Sequence, residues 1–169
     1  GRRRQRGRGN DDTAKRGVWI APLDKSAAPR RVFKGETDRA FFDPAGNIYF
    51  AANEGKARYL HRLRAPDYIA DERLSDNAVF YVFSISPDGA WVVALTVQPP
   101  NPGSQQMALS TRGLPPRLLC SFCSGGGGPA RLYAPSISWT RDGRLLLASG
   151  QYVSTSALSG PQVTVAIPL

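Results

Sequence analysis

The chain has 169 residues, of which 41% are apolar, so it can bury the core of one domain of ordinary size. The net charge is +9, but residues 1–16 hold seven arginines and lysines against two aspartates, and the rest of the chain is only mildly basic. Scattered charge argues against an extended nucleic-acid surface. No run approaches the roughly eighteen apolar residues of a membrane span, so none is expected in this chain.

Residues 1–16 are predicted to form a basic, flexible tail or linker. Arginines occupy positions 2, 3, 4, 6 and 8, with glycine at position 7, and no aromatic residues lie among them for stacking on bases. Nucleic-acid binding is therefore expected only through this tail, by release of counterions from phosphates. The simpler interpretation is a linker that leads into the folded part.

Residues 17–35 contain two short strand-like segments. The first is Gly17-Val18-Trp19-Ile20-Ala21-Pro22-Leu23 and the second is Pro29-Arg30-Arg31-Val32-Phe33. Similar polar strand pairs occur later in the chain, each time after an apolar hairpin that is missing here. We therefore predict that residues 17–35 are the outer half of a four-stranded unit.

Three later segments share one pattern, in which a glycine turn separates two apolar runs. They are Phe42-Asp43-Pro44-Ala45-Gly46, Ile85-Ser86-Pro87-Asp88-Gly89 and Trp139-Thr140-Arg141-Asp142-Gly143, each followed by an apolar run. Glycine is free to adopt positive φ, so each segment predicts a hairpin with key turn positions Gly46, Asp88, Gly89, Asp142 and Gly143. The glycines are 43 and 54 residues apart, which is the range of a four-stranded propeller blade.

These repeats predict an all-β protein, a β-propeller of four-stranded antiparallel blades with about three blades present. Residues 36–78 and 79–121 are expected to be whole blades, and 130–169 an incomplete one, within a propeller segment spanning 17–169. Closed propellers have about four to eight blades. Either the chain is a fragment of a longer protein, or two copies form a homodimer that closes a six-bladed ring.

The second repeat, Ile85-Ser86-Pro87-Asp88-Gly89, resembles the S-P-D-G repeat of TolB-like propellers, relatives of the WD-repeat fold found widely in bacteria. The resemblance covers about residues 17–169, although the first repeat has Asp43-Pro44-Ala45-Gly46 in place of S-P-D-G and the third has Thr140-Arg141-Asp142-Gly143. It implies a scaffold that holds a protein or peptide through its loops, in an extracytoplasmic or periplasmic location. The alternative it implies is a sensor or regulatory segment of a larger enzyme, such as a bacterial Ser/Thr protein kinase or a prolyl-oligopeptidase-like protein.

Catalytic chemistry is not expected from these residues. The chain has no G-x-S-x-G motif, and a lone histidine, His61, in an outer strand is expected to be a surface residue. Cys120 and Cys123 lack the further ligands of a structural zinc site, so a loop disulfide or two inert thiols is predicted. Four glycines at 125–128 lack the lysine and Ser/Thr of a phosphate loop and indicate a flexible insertion. No enzyme activity, metal or cofactor is expected.

Aromatic residues divide into two predicted roles. Those inside strands are expected to fill the spaces between blades, namely Phe41, Tyr49, Trp91 and Trp139. Tyr68, Tyr133 and Tyr152 are the candidates for a rim that contacts a partner, because tyrosine is enriched where proteins bind one another.

Overall fold

The strands form antiparallel sheets arranged as propeller blades, which confirms the predicted all-β fold. The computed structural model describes residues 16–97, 104–119, 130–154 and 160–169, with the backbone alone for 130–135 and 154. The first sheet contains β1 (Gly17–Ile20) and β2 (Arg30–Lys34). The second contains β3 (Phe41–Phe42), β4 (Ile48–Glu54), β5 (Ala57–Leu63) and β6 (Asp71–Arg73). The third contains β7 (Val79–Ile85), β8 (Trp91–Val97), β9 (Ser104–Ser110) and β10 (Arg117–Leu118). The fourth contains β11 (Ala130–Trp139), β12 (Leu145–Ser154) and β13 (Gln162–Pro168).

Each strand pairs with its neighbours in the sequence, as in an antiparallel meander. The glycine turns join the first two strands of the second, third and fourth sheets. Gly46, Gly89 and Gly143 have φ values of 84°, 69° and 72°, a conformation that side chains with a Cβ disfavour. In each turn the glycine N–H donates to the backbone carbonyl of the residue three positions earlier.

Three apolar seams hold consecutive sheets together. The side chains of β4 alternate between two of them: Ile48, Phe50 and Ala52 face the first sheet, whereas Tyr49 and Ala51 face the third. A strand with neighbours on both faces must be apolar on both, which explains the nearly continuous apolar runs in the sequence. Val93 and Ala108 of the third sheet pack against Leu146, Ala148 and Ile167 of the fourth.

The aromatic residues assigned to the spaces between blades lie in these seams. Tyr49 is 1% exposed, and Phe41 packs against the same seam. Trp91 and Trp139 are partly buried between the third and fourth sheets, where the Trp139 indole N–H donates to the Ser84 hydroxyl at 3.0 Å. That hydrogen bond joins the first strands of two neighbouring sheets.

The two ends of the strands define two faces of the molecule. The turn face carries the three glycine turns together with residues 21–29, 64–70 and 111–116. These loops and turns lie at the same end of the strands. One contact between them is the hydrogen bond that Tyr68 Oη donates to Gly46 O, at 3.1 Å. The hairpin face is the opposite end, where residues 54–57 join β4 to β5.

Replacing Gly89 by alanine is expected to destabilise the protein more than the same change at Gly55. Both glycines have positive φ, so alanine at either position should cost about 1–2 kcal/mol. A Cβ on Gly89 would also lie 3.0 Å from Asp43 Cβ, whereas one on Gly55 would meet nothing within 4 Å. Asp43 cannot yield easily, because its carboxylate accepts hydrogen bonds from Asn47 and Tyr49.

Urea unfolding of the two variants measures the difference in unfolding free energy. Gly89→Ala should lose about 1 kcal/mol or more beyond Gly55→Ala, the usual penalty for overpacking. Equal losses would mean that the contact between neighbouring turns does not matter.

Candidate functional site

The turn face carries a groove of about 280 Å³ between the first and second sheets. The first sheet and its loop contribute Ile20, Pro22 and Arg30, and the second sheet contributes Phe42 and Tyr68. The groove therefore lies above the seam in which Val18 packs against Ile48 and Phe50. Its walls belong to two different sheets, so its shape depends on how those sheets pack.

Tyr68 is held in a single position at this groove. It is one of two non-glycine residues described with positive φ, at 60°, a conformation that costs about 1–3 kcal/mol and persists only where surrounding contacts impose it. Its backbone N–H donates to the Arg64 carbonyl at 2.9 Å and its hydroxyl donates to the Gly46 carbonyl. The ring is thereby fixed before any ligand arrives.

Arg30 completes the wall from the first sheet. Its guanidinium carbon lies 5.7 Å from the centre of the Tyr68 ring, and two of its nitrogens lie 3.3 Å from the Asp67 carbonyl oxygen, to which they donate. A cation over an aromatic face is attracted by the ring quadrupole. The arginine therefore ties the loop at 64–70 to the first sheet.

Exposed apolar side chains occur in the groove wall and at positions next to groove residues in the sequence. Phe42, in its wall, is 56% exposed. Leu23 follows the groove residue Pro22 and is fully exposed, and Ile69 follows Tyr68 with 81% of its surface exposed. Clusters of exposed apolar residues rimmed by polar ones mark interaction sites more often than isolated ones do.

The expectation that His61 is a surface residue is wrong. The side chain is 5% exposed because the adjoining faces of β2 and β4 cover it: its ring stacks on Phe50 at 5.8 Å and lies 6.0 Å from Phe33. Nδ1 donates to Asp71 Oδ1 at 2.8 Å. Glu54 Oε1 lies 2.9 Å from Nε2, but outside the direction of a hydrogen bond. His61 thus belongs to the seam beneath the groove.

The structure does not bring the three tyrosines proposed as a rim to one site: Tyr133 and Tyr152 lie on the paired strands β11 and β12, one register position apart, and Tyr68 lies elsewhere. Tyr68 is on the turn face, in the loop before β6. Tyr152 is 40% exposed near the far end of β12, towards the hairpin face. Tyr133 lies in β11, where its backbone pairs with Gln151. Cys120, Cys123 and the glycines at 125–128 lie outside the described residues, as do residues 1–15 of the tail.

Asp88 and Asp142, the aspartates of the second and third glycine turns, accept hydrogen bonds within their own turns. Asp88 Oδ1 accepts hydrogen bonds from the Ser86 hydroxyl at 2.6 Å and the Ala90 N–H at 3.0 Å. Asp142 Oδ1 does the same with the Thr140 hydroxyl at 2.6 Å and the Arg144 N–H at 3.1 Å. These hydrogen bonds, foremost those from the hydroxyls, lower the pKa of both aspartates. Each carboxylate therefore stabilises its own turn.

Sequence reasoning singled out Tyr68 but missed Phe42 and Arg30. Phe42 stands in the same repeat position as Ile85 and Trp139, which are partly buried, so the pattern gave no sign of its exposure. Arg30 appears in an arginine pair of an outer strand, a common surface composition. Phe42 and Arg30 differ from other residues of their type because they lie beside the same seam, between the first and second sheets. That seam exists only in the folded chain.

Among the described residues, no cluster of three or more His, Cys, Asp or Glu side chains is arranged to hold a metal ion. That part of the chain also contains no helix long and apolar enough to cross a membrane.

Comparison with solved structures agrees with this architecture. TolB from Acinetobacter baumannii has a similar fold, with a TM-score of 0.58 and 12% sequence identity. The similarity covers 90% of this chain but 38% of the TolB chain. No family model matches the sequence, and no curated protein matches it. The chain thus has a TolB-like propeller fold and spans well under half the length of that structure.

Protonation of Asp88 is expected to reduce stability in acid. Its pKa is lowered in the folded protein, so its contribution is present above the unfolded pKa and is lost as the pH falls through the folded value. The free energy of unfolding of the wild type should therefore decline from about pH 4 downward. Asp88→Asn should show a shallower decline.

Chemical unfolding at a series of pH values measures these slopes. Asp76→Asn is the matched control for replacing a carboxylate by an amide, because no hydrogen bond to the Asp76 carboxylate is described, and Asp88→Asn should have the shallower slope of the two variants. Identical slopes for Asp88→Asn and the wild type would contradict the role assigned to this turn.

Proposed function

We propose that this chain is a non-enzymatic propeller scaffold that binds a protein or peptide segment at the turn-face groove. The observation that carries the proposal is the fixed Tyr68 ring beside the exposed Phe42 side chain. Aromatic and arginine side chains supply most of the energy at protein interfaces, and this groove offers both types together. Loops on a rigid β scaffold are also where binding residues are usually found.

The groove has the chemistry to accept one or two side chains of an extended segment. Ile20, Pro22 and Phe42 provide apolar contact, and the exposed Leu23 and Ile69 are the neighbours in sequence of the groove residues Pro22 and Tyr68. Burying apolar surface yields about 25 cal/mol per Å². Because Tyr68 and Arg30 are already held, a ligand would lose little free energy in ordering them.

The similarity to TolB supports a scaffold of this type, but a shared fold does not determine a ligand. Support for binding at this position comes from the residues of the groove itself. Its location across two sheets also means that a ligand would contact both, and would stabilise their packing as it binds.

The predicted homodimer with a six-bladed ring stays a prediction. β13 pairs with β12 along residues 145–151, so a second copy could not pair with that edge of β12 without displacing β13. Among the described strands, β13 provides the outer edge of the fourth sheet. Ring closure between copies would therefore have to involve the edge of β13 or the open face of this sheet.

A display selection tests the proposed groove without a known ligand. The immobilised full chain is used to select binders from a phage library of random twelve-residue peptides. Binding of selected peptides should weaken at least tenfold for Phe42→Ser and for Tyr68→Gly, measured by fluorescence anisotropy. Glycine suits the positive φ at position 68, so the second change removes the ring without adding backbone strain.

Leu114→Ser is the matched control, since Leu114 is 55% exposed in a loop of the turn face outside the groove. It should leave the affinities unchanged. Peptides that bind all three variants as tightly as the wild type, or a library that yields no binders, would contradict the proposal.

A further inference from the structure

The hairpin face has a second aromatic surface, formed by two consecutive residues of β7. Phe80 and Tyr81 are 47% and 54% exposed, whereas Val79 and Val82 on either side are buried. Successive residues of a regular strand point to opposite sides. Here the register with β8 shifts between Val79 and Tyr81, and such an irregularity re-aims side chains. β7 thus exposes the rings of Phe80 and Tyr81, while Val79 and Val82 keep their contacts in the seam between the second and third sheets.

These aromatic residues line a groove of about 380 Å³ across the seam between the second and third sheets. Its other wall is the β4–β5 hairpin, including Asn53, Lys56 and Arg58. Arg58 spans the two walls: it donates to Asn53 Oδ1 at 3.0 Å and to the Phe80 carbonyl at 3.1 Å. The position of the irregular strand segment is therefore fixed from the neighbouring sheet.

Lys56 gives the groove an unneutralised positive charge. It has no hydrogen bond or ion pair with any described residue. The carboxylates of the two glutamates at this end are already in ion pairs: Glu36 pairs with Arg16 at 3.5 Å, and Glu54 pairs with Arg73 at 3.2 Å. A ligand that complements this surface must carry a negative charge beside apolar groups.

We propose that this groove binds an acidic, extended peptide segment, with a carboxylate paired to Lys56 and an apolar side chain on the rings of Phe80 and Tyr81. The peptide is held by its side chains rather than by joining the sheet, because two register shifts interrupt β7. The site lies on the face opposite the turn-face groove. The protein would then hold two segments at once, one on each face.

The test uses the full chain and a fluorescein-labelled octapeptide of alternating glutamate and leucine. Fluorescence anisotropy should show saturable binding that weakens as salt is added, since salt screens exposed charges. A peptide with glutamine in place of every glutamate should bind at least tenfold more weakly. Lys56→Glu and the double variant Phe80→Ser/Tyr81→Ser should each weaken binding of the acidic peptide at least tenfold.

Lys34→Glu is the matched control, an exposed lysine of the first sheet that makes the same change in net charge. It and Phe42→Ser should bind the acidic peptide as the wild type does, which separates this site from the turn-face groove. Equal binding by Lys34→Glu and Lys56→Glu at a reduced affinity would indicate general charge attraction and overturn the proposal. Wild-type binding by the double variant, or no saturation at millimolar peptide, would overturn it as well.

Discussion

The seam between the second and third sheets is the contact on which the rest of the structure depends. Its middle is apolar, where Leu60 packs among Val82 and Val92, and an arginine crosses it at each end. On the turn face, Arg62 donates to the Thr111 carbonyl at 3.2 Å and pairs with Glu72 at 2.7 Å. With 13% of its side chain exposed, Arg62 needs both partners to offset its loss of hydration.

The turns extend this seam into a closed set of contacts. The Thr111 hydroxyl donates to the Gly89 carbonyl at 2.7 Å, and Gly89 packs against Asp43. Asp43 in turn accepts from the buried Tyr49 hydroxyl at 3.0 Å, and burial is the main cause of the raised pKa of Tyr49. Each groove has walls in two sheets, so the packing in the seam between those sheets keeps the groove rigid. A ligand at either groove therefore contacts two sheets, and its affinity depends on how those sheets pack as well as on the individual loops.

Local sequence was sufficient to predict the hairpins and their grouping into a propeller fold. Glycine at 46, 89 and 143 determines the turn through backbone sterics, and the apolar runs on both faces of β4 and β8 require neighbours on both sides. His61 and Phe42 show the limit of such reasoning. His61 is buried and Phe42 is exposed because of the residues that the adjacent sheet places beside each of them. No local sequence pattern encodes those neighbours. The same applies to Arg30, whose partners lie 37 and 38 residues away.

Hydrogen–deuterium exchange of the full chain, with and without a peptide selected on the turn-face groove, tests the central claim most directly. The claim is that binding occurs across the seam between the first and second sheets. We expect the peptide to slow amide exchange in residues 21–30 and in residues 64–70 together, since these loops form opposite walls. Slowing confined to one of the two loops, or located only on the hairpin face, would contradict the account.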